Sequence, residues 1–563
     1  MGKAIHTLKH KAAPRFISRQ KCLAVALIAV TSICGSADAL EIPTGSEDLV
    51  VHWDNTLRYT LASRVKGRNP AITNSINNDD GDRNFGRGIV SSRLDLLTEA
   101  DAVYKNDFGI RLSAAAWYDP MYRRGFDNDS VATENHIVND RQALGISPFA
   151  RDRYGLDAEL LDAFAFAKVD LGEVPVNTRV GRHTIYWGEA FFPYAGMNGI
   201  SYGQSPIDLA KALSMPGVEL KEIFRPLNQV SVQVQPTNDL SIAAQYYLQW
   251  EPSLFPESGT YLGMYDPFLE GGESVILNMN PLINPRNGGP REPRQVGDWG
   301  IAARYSPEGL KGTIGAYYRR FSDKLPQVVG DYDGVSPIPL RYHFAYGSNI
   351  DLYGLSFAKQ FFGISVGSEV SYRHNMPIAS TTLAPVGARG DTMHAVLNFL
   401  SVLPKTPLFH TGTAILEFTY GRMVRVTKNP EFYNGRAEYG GLDKPTRDNT
   451  TVTLNFVPEW KQVFPSVDLA MPINVATGIS GNSAVTGGGA KKSGSYSVGL
   501  SFDILAKYKI DLTYASFFGT LHPDANGQIP FPGLASVAGD GAGDIYGVLK
   551  DRDLLSLTFK TSF

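Results

Sequence analysis

The sequence predicts an all-β protein, a transmembrane antiparallel β-barrel of about 18 strands with 16 as the alternative count. Three observations lead there. The last stretch, Asp553 to Phe563, alternates Leu555, Leu557, Phe559, Thr561 and Phe563 with Leu554, Ser556, Thr558, Lys560 and Ser562. Successive side chains of a strand point to opposite faces, so this is a largely apolar-out, polar-in strand that ends on an aromatic ring. Short turns and long connections then alternate along the chain, as in barrels with short turns at one rim and long loops at the other. Finally, no apolar run of about 18 residues follows residue 39, which excludes spanning helices but not strands, of which only alternate residues face lipid.

Residues 1–39 have the order of a secretory signal peptide: Lys3, Lys9, Lys11, Arg15, Arg19 and Lys21, then the apolar Cys22 to Val30 extending to Cys34, then Ala37-Asp38-Ala39. Cleavage is expected after Ala39, leaving residues 40–563 as a single barrel domain in the outer membrane of a Gram-negative cell. Ile33 stands before Cys34, where lipoprotein signals carry a small residue, so lipidation is not expected. Both cysteines lie in the removed piece, so disulfide and thiolate chemistry are excluded from the mature chain. The mature chain has a net charge of about −8 and no basic face, which argues against nucleic acid as a partner. Composition decides nothing further, because 43% hydrophobic residues would suit a soluble enzyme equally well.

The first strand, Asp48 to Ala62, sets Leu49, Val51, Trp53, Leu57, Tyr59 and Leu61 against His52, Asp54, Thr56, Arg58 and Thr60. The clearest, Leu240 to Glu251, sets Leu240, Ile242, Ala244, Tyr246, Leu248 and Trp250 against Ser241, Ala243, Gln245, Tyr247, Gln249 and Glu251. Short turns are expected at 105–107, 172–175, 236–239, 307–310, 361–363, 403–408, 458–461 and 505–507. Gly/Pro/Asn/Asp-rich connections are expected at 63–90, 121–155, 190–226, 252–296, 325–340, 375–391, 423–449, 475–493 and 520–552. A soluble propeller is the competing all-β fold, but no repeat of roughly 40–50 residues recurs. In a barrel of this size side chains from the wall cannot fill the lumen, so water or an inward-folded loop must.

The connection Ala190 to Pro226 differs from the others. It follows Gly181-Arg182-His183 and Trp187-Gly188-Glu189, and contains Phe191-Phe192-Pro193, Pro206-Ile207-Asp208 and Pro216-Gly217-Val218-Glu219-Leu220-Lys221-Glu222. Apolar residues beside ion-pairing ones suit a loop folded into the lumen as a plug or constriction, where Glu219, Lys221 and Glu222 could pair with wall charges and Asp208 is a further lumen or plug candidate. In these motifs the chain resembles the bacterial outer-membrane proteins grouped as domain of unknown function 1302. The match comprises the Gly-Arg pair at Gly181-Arg182, Trp187-Gly188-Glu189, Pro206-Ile207-Asp208 and Pro216 to Glu222, with the strand around Trp53 and the terminal Phe563 also fitting. His183 stands where the family pattern has Gln.

The resemblance implies a porin-like barrel embedded in outer-membrane lipid. Such families are often encoded beside a periplasmic companion and an inner-membrane exporter of the resistance-nodulation-division type, which implies service to an efflux or uptake system for hydrophobic or amphipathic molecules. Resemblance to outer-membrane proteins in general implies that the barrel-assembly machinery reads the terminal aromatic.

Charges on strand faces mark the expected lumen. Asp54 and Arg58 share a face of the first strand, and Arg93, Asp95, Glu99 and Asp101 share a face of the second. Arg111 and Asp162 follow on the next two. An Arg or Lys facing mid-bilayer lipid costs about 2–4 kcal/mol, so these faces should look inward, touching either the plug or the solute. Arg179, His183 and Glu189 make the odd face of their segment the inward one, so Arg182 needs a bulge at Gly181 or a boundary position. Tyr186 and Trp187 suit either an interfacial belt or a ligand grip.

Catalytic, metal and cofactor motifs fail on context. Gly363-Ile364-Ser365-Val366-Gly367 opens a strand and lacks the strand-to-helix turn of a nucleophile elbow. Asn77 to Asp82 lacks the spacing and downstream glutamate of a calcium loop and reads as a solvated loop. Gly487 to Ser493 lacks the glycine before the lysine of a phosphate loop and reads as a flexible exterior loop. The expectation is therefore a passive channel and not an enzyme, without a cofactor. The alternative is a structural or recognition barrel that binds an envelope partner through its long loops.

Overall fold

Alternation of apolar with small or polar residues produces one antiparallel sheet that closes on itself. The computed structural model describes residues 40–563 except 216, 217, 219, 532 and 535–539. The expected signal peptide, Met1 to Ala39, lies outside the described residues. Eighteen strands make the wall: β1 Leu49–Arg64, β2 Gly88–Tyr104, β3 Phe108–Tyr118, β4 Leu156–Leu171, β5 Val174–His183 and β6 Leu227–Thr237. Next come β7 Leu240–Tyr247, β8 Trp299–Tyr305, β9 Gly312–Phe321, β10 Ile350–Phe361, β11 Ile364–Pro377 and β12 Arg389–Leu403. The last are β13 Thr411–Lys428, β14 Asp448–Phe464, β15 (Val467–Ala470 continued by Ile473–Ser480), β16 Gly494–Ile504, β17 Tyr508–Phe518 and β18 Leu554–Ser562.

Each strand pairs with its sequence neighbour, and β18 returns to β1 in the register Thr56↔Ser562 to Arg64↔Leu554. The seam ends on the aromatic terminus: Asn55 and Phe563 exchange backbone hydrogen bonds, each 2.9 Å. One turn differs from expectation. Pro458 to Lys461 stay in β14, and the chain reverses at 465–466 instead. Proline removes only one donor from the ladder, and the Pro458 carbonyl still accepts from Met471 N–H at 3.0 Å, so β14 tolerates it. The partner strand β15 carries the break, at Met471-Pro472.

The outward face is apolar, with Ile110, Leu112, Val180, Ile301, Leu355, Leu397, Val498, Leu512 and Leu557 exposed. Exposed aromatics gather toward both rims: Tyr104, Phe108, Tyr305 and Phe361 by the short turns, and Tyr118, Tyr246, Trp299 and Tyr353 by the long loops. This is the arrangement a lipid-facing barrel needs, with amphipathic rings at the two boundaries.

The long connections fold over and into the lumen. The segment between β5 and β6 enters it, carrying α1 Pro193–Asn198, α2 Leu209–Ser214 and α3 Leu220–Ile223. The connections after β7 and β9 build a small sheet of Arg286–Arg291, Pro326–Asp331 and Arg341–Tyr346. A single apolar core joins Trp187, Met197, Ile200, Ile207 and Leu213 of the inward segment to Phe321, Leu352 and Val396 of the wall and Phe255 and Met264 of a loop.

Two other segments expected to be loose are packed. Asp79, Asp80 and Asp82 are buried, because they meet residues of other loops and not solvent. Gly487 to Gly489 turns inward and supplies the Gly488 carbonyl to Asn198 and Asn449.

Candidate functional site

The inward segment follows the end of β5, which keeps its register with β4 through Arg182 and with β6 through His183. Gly181 adopts φ +126°, and His183 then faces the lumen. The His183 Nδ1–H donates to the Gly181 carbonyl at 3.0 Å, leaving Nε2 to accept from Ser231 Oγ at 2.8 Å. Arg182 takes the boundary position at the long-loop rim. Its guanidinium bonds Glu251 at 2.9 Å and the Leu160 carbonyl at 3.1 Å, and Arg225 reaches the other Glu251 oxygen at 3.2 Å.

Past this point the wall holds the segment chiefly by its backbone. Glu369 on β11 accepts from the Glu189 N–H at 3.0 Å and the Ile200 N–H at 3.1 Å. Gly188 and Gly199 make room for it: a Cβ on either would come within 2.3 Å of a Glu369 carboxylate oxygen. Glu417 on β13 accepts from Phe191 and Phe192 at 2.7 and 3.0 Å. Arg319 on β9 donates to the Ile200 and Tyr202 carbonyls at 3.0 and 2.7 Å, and Arg373 on β11 to those of Met197 and Gly199 at 2.9 and 2.8 Å. Asn398 donates to the Glu189 carbonyl at 2.5 Å, and His394 meets Asn198 Oδ1 at 2.9 Å. All six wall residues are buried. Backbone amides and carbonyls carried inside a barrel need partners, and charged ones bind more strongly than neutral ones.

None of these six was singled out in the sequence. The available signal is a large polar residue at an inward position of a strand, such as Arg319 between Tyr317 and Phe321 on their common face. The charges expected to line the lumen from the first four strands pair mainly with one another. Arg58 and Arg93 flank Asp95 at 3.3 and 2.8 Å, and Arg111 joins Glu99 at 2.5 Å to Asp162 at 3.5 Å. His52 meets Asp101 at 3.2 Å, and Asp54 lies opposite Glu99 in register. This half-buried ladder covers the wall away from the Arg319–Glu417 side.

On the segment itself, Trp187 is buried inside the lumen with its ring 6.1 Å from that of Tyr317, so it is not a belt residue. Glu189 accepts from Ser356 at 3.2 Å and lies 3.8 Å from Arg304; burial raises its carboxyl, with Arg304 opposing. Asp208 caps α2 by accepting the Lys211 N–H at 2.9 Å. The Lys211 ammonium donates to the Glu222 carbonyl at 2.8 Å. Burial lowers its pKa, Glu222 opposes the shift, and Arg58 adds to it from the ladder. The Glu222 side chain is exposed and makes no wall pair among the described residues. Glu219 and the side chain of Lys221 lie outside the described residues.

The segment divides the lumen into two spaces, both with apolar walls, of which one carries a set of charged side chains of both signs. Toward the short turns is a vestibule of about 830 Å³ bounded by Asp101, Arg111, Lys168, Arg179 and Gln233, with Tyr186 and Trp187 as its floor. Toward the long loops is a cavity of about 290 Å³ lined by Phe192, Met197 and Leu213 of the segment, Phe255, Met264 and Phe268 of one loop, and Phe531 of another. Thr453, Asn474 and Ser495 give it a polar edge on the β14 to β16 wall. An apolar chamber with a few fixed polar groups suits a solute with a greasy body and a polar end.

A family model described as protein of unknown function (DUF1302) matches residues 21–563. No curated protein matches the sequence. Among solved structures, OccD3 (OpdP) of Pseudomonas aeruginosa is similar at 10% identity and TM-score 0.40, over 95% of this chain and 96% of that one. OccK2 (OpdF) of Pseudomonas aeruginosa in complex with glucuronate is similar at 8% identity and TM-score 0.38, over 91% and 98%. A BenF-like porin from Pseudomonas fluorescens Pf-5 is similar at 8% identity and TM-score 0.39, over 91% and 98%.

Proposed function

The chain belongs to the DUF1302 family, and we propose that it is an outer-membrane channel that passes a small hydrophobic or amphipathic solute passively, without making or breaking a bond. The observation that carries this reading is the sequence of environments along the lumen. A solute arriving past the long loops meets the apolar cavity beside Phe192, Met197 and Phe268, then the constriction of the inward segment, then the charged vestibule at Asp101, Arg111 and Arg179. Binding in the first space selects for an apolar body, and paired charges of both signs in the second let a polar end re-hydrate. Transport follows the gradient that periplasmic partners maintain, which is how such a channel would serve an envelope efflux or uptake system.

Proteoliposomes that take up a medium-chain carboxylic acid and, in parallel, a sugar of similar mass test the reading. Uptake of the acid should saturate and outpace that of the sugar, and A212W, which fills the cavity from α2, should suppress it selectively. Equal, unsaturable uptake of both probes would contradict a solute-selective channel.

A further inference from the structure

Four buried carboxylates from three different loops converge beneath the long-loop face. Asp79 and Asp80 come from the β1–β2 connection, Glu134 from β3–β4 and Asp266 from β7–β8, and none is more than 1% exposed. Each is fixed by one oxygen and leaves the other without a hydrogen-bond partner. Asp79 Oδ2 accepts from Arg83 at 2.7 Å and Thr133 at 2.8 Å, Asp80 Oδ2 from the Asn135 N–H at 3.0 Å, Asp266 Oδ2 from the Asp80 N–H at 3.1 Å, and Glu134 Oε2 from Asn128 at 2.8 Å. The unpartnered atoms are Asp79 Oδ1, Asp80 Oδ1, Asp266 Oδ1 and Glu134 Oε1.

Ligand oxygens of Asp79, Asp80 and Asp266 lie within 4.8 Å of one another. Glu134 stands beside this trio rather than within it, its carboxyl meeting that of Asp80 and feeling the charges of Asp266 and Asp79. Among the described residues Arg83 is the one cation in direct contact with the set, committed to Asp79, and Arg552 acts on Asp266 from farther off. Burying four acids with so little positive charge is unfavourable: burial first, then mutual repulsion, pushes Glu134 up to about 9.

We propose that Asp79, Asp80, Glu134 and Asp266 bind one calcium ion that ties the three loops together. Four carboxylates offering one oxygen each form an all-oxygen, hard donor set. Calcium accepts six to eight oxygens at about 2.3–2.6 Å in loose geometry, so ligands on opposite sides of it stand roughly 5 Å apart, whereas magnesium demands a tighter octahedron and keeps its waters. The ion would brace the apolar cavity, because Asp266 follows Met264 and Tyr265, both of which line it.

The experiment uses the detergent-purified mature barrel stripped with EGTA, its fold checked by heat-modifiable gel mobility, and titrated calorimetrically with calcium chloride or magnesium chloride. One calcium per chain is expected, with a dissociation constant between about 10⁻⁶ and 10⁻³ M and at least tenfold weaker magnesium binding. Calcium should also protect the 119–155 connection from limited proteolysis. E134Q and D266N, singly and together, should weaken binding at least tenfold. The comparison with and without EGTA needs no variant and stands if the variants misfold. Absence of saturable binding to the folded wild type up to about 10 mM calcium, or equal binding by folded E134Q/D266N, would overturn the site and leave four acids sharing protons.

Discussion

Arg373 Nη2 lies 2.8 Å from the carbonyl oxygen of Gly199, so a wall charge grips the inward segment by its backbone. Arg319 does the same for Ile200 and Tyr202, and the two guanidiniums thus hold one short stretch of chain. R319M/R373M keeps the apolar stems and removes the four hydrogen bonds. Each buried carbonyl left unpaired costs about 1–3 kcal/mol, and the effects should not add because both residues hold the same stretch. The barrel should stay folded while single-channel conductance rises several-fold in planar bilayers.

The β1 to β4 ladder predicts a different phenotype. Arg111 sits between Glu99 and Asp162 at the vestibule, so R111E places three acids together where ions pass. The reversal potential in a salt gradient should move toward cations, with little change in stability. Unchanged selectivity would mean that ions do not pass this wall.

Lys324 predicts a pH dependence. Its ammonium is buried 5.3 Å from the Trp250 ring, and burial pushes its pKa from 10.5 down to about 8, with Asp298 opposing. Between pH 8 and 10.5 the folded state binds fewer protons than the unfolded one, so a stability penalty present below about 8 is relieved as pH rises. Trp250 emission should titrate near pH 8, and thermal stability should gain with pH across that window. Both effects should be absent in K324M.

At the seam, Arg64 and Arg552 bracket Asp82 at 2.6 and 3.1 Å, and Asp551 completes the buried network. R552A strips one cation from two buried carboxylates. Breaking a buried pair costs about 3–5 kcal/mol, so the temperature at which the barrel loses its folded gel mobility should fall clearly. R58A, in the half-buried ladder, should shift it little.

The barrel was legible because lipid on one face and a wet or packed lumen on the other impose a period of two along Leu240 to Tyr247 and Leu554 to Ser562 alike. The inward segment was legible too, since Phe191, Phe192 and Ile207 cannot be left in water. Its anchors were not. Arg319, Glu369, Arg373 and Glu417 occupy ordinary inward positions, and a strand pattern is the same whether such a residue faces water or a folded loop. Trp187 read equally well as a belt residue, because only the path of the chain after Gly181 sends it inward. Asp79 and Asp80 fail the calcium-loop spacing, and Glu134 and Asp266 carry no local pattern, because the proposed site is assembled from three loops far apart in sequence.

Single-channel recording from the purified barrel in a planar bilayer, wild type against a deletion of 190–226, tests the central claim most directly. The account predicts small, stepwise openings for the wild type and much larger ones once the segment is gone, with the barrel still folded in both. A bilayer that stays closed with either protein would contradict it.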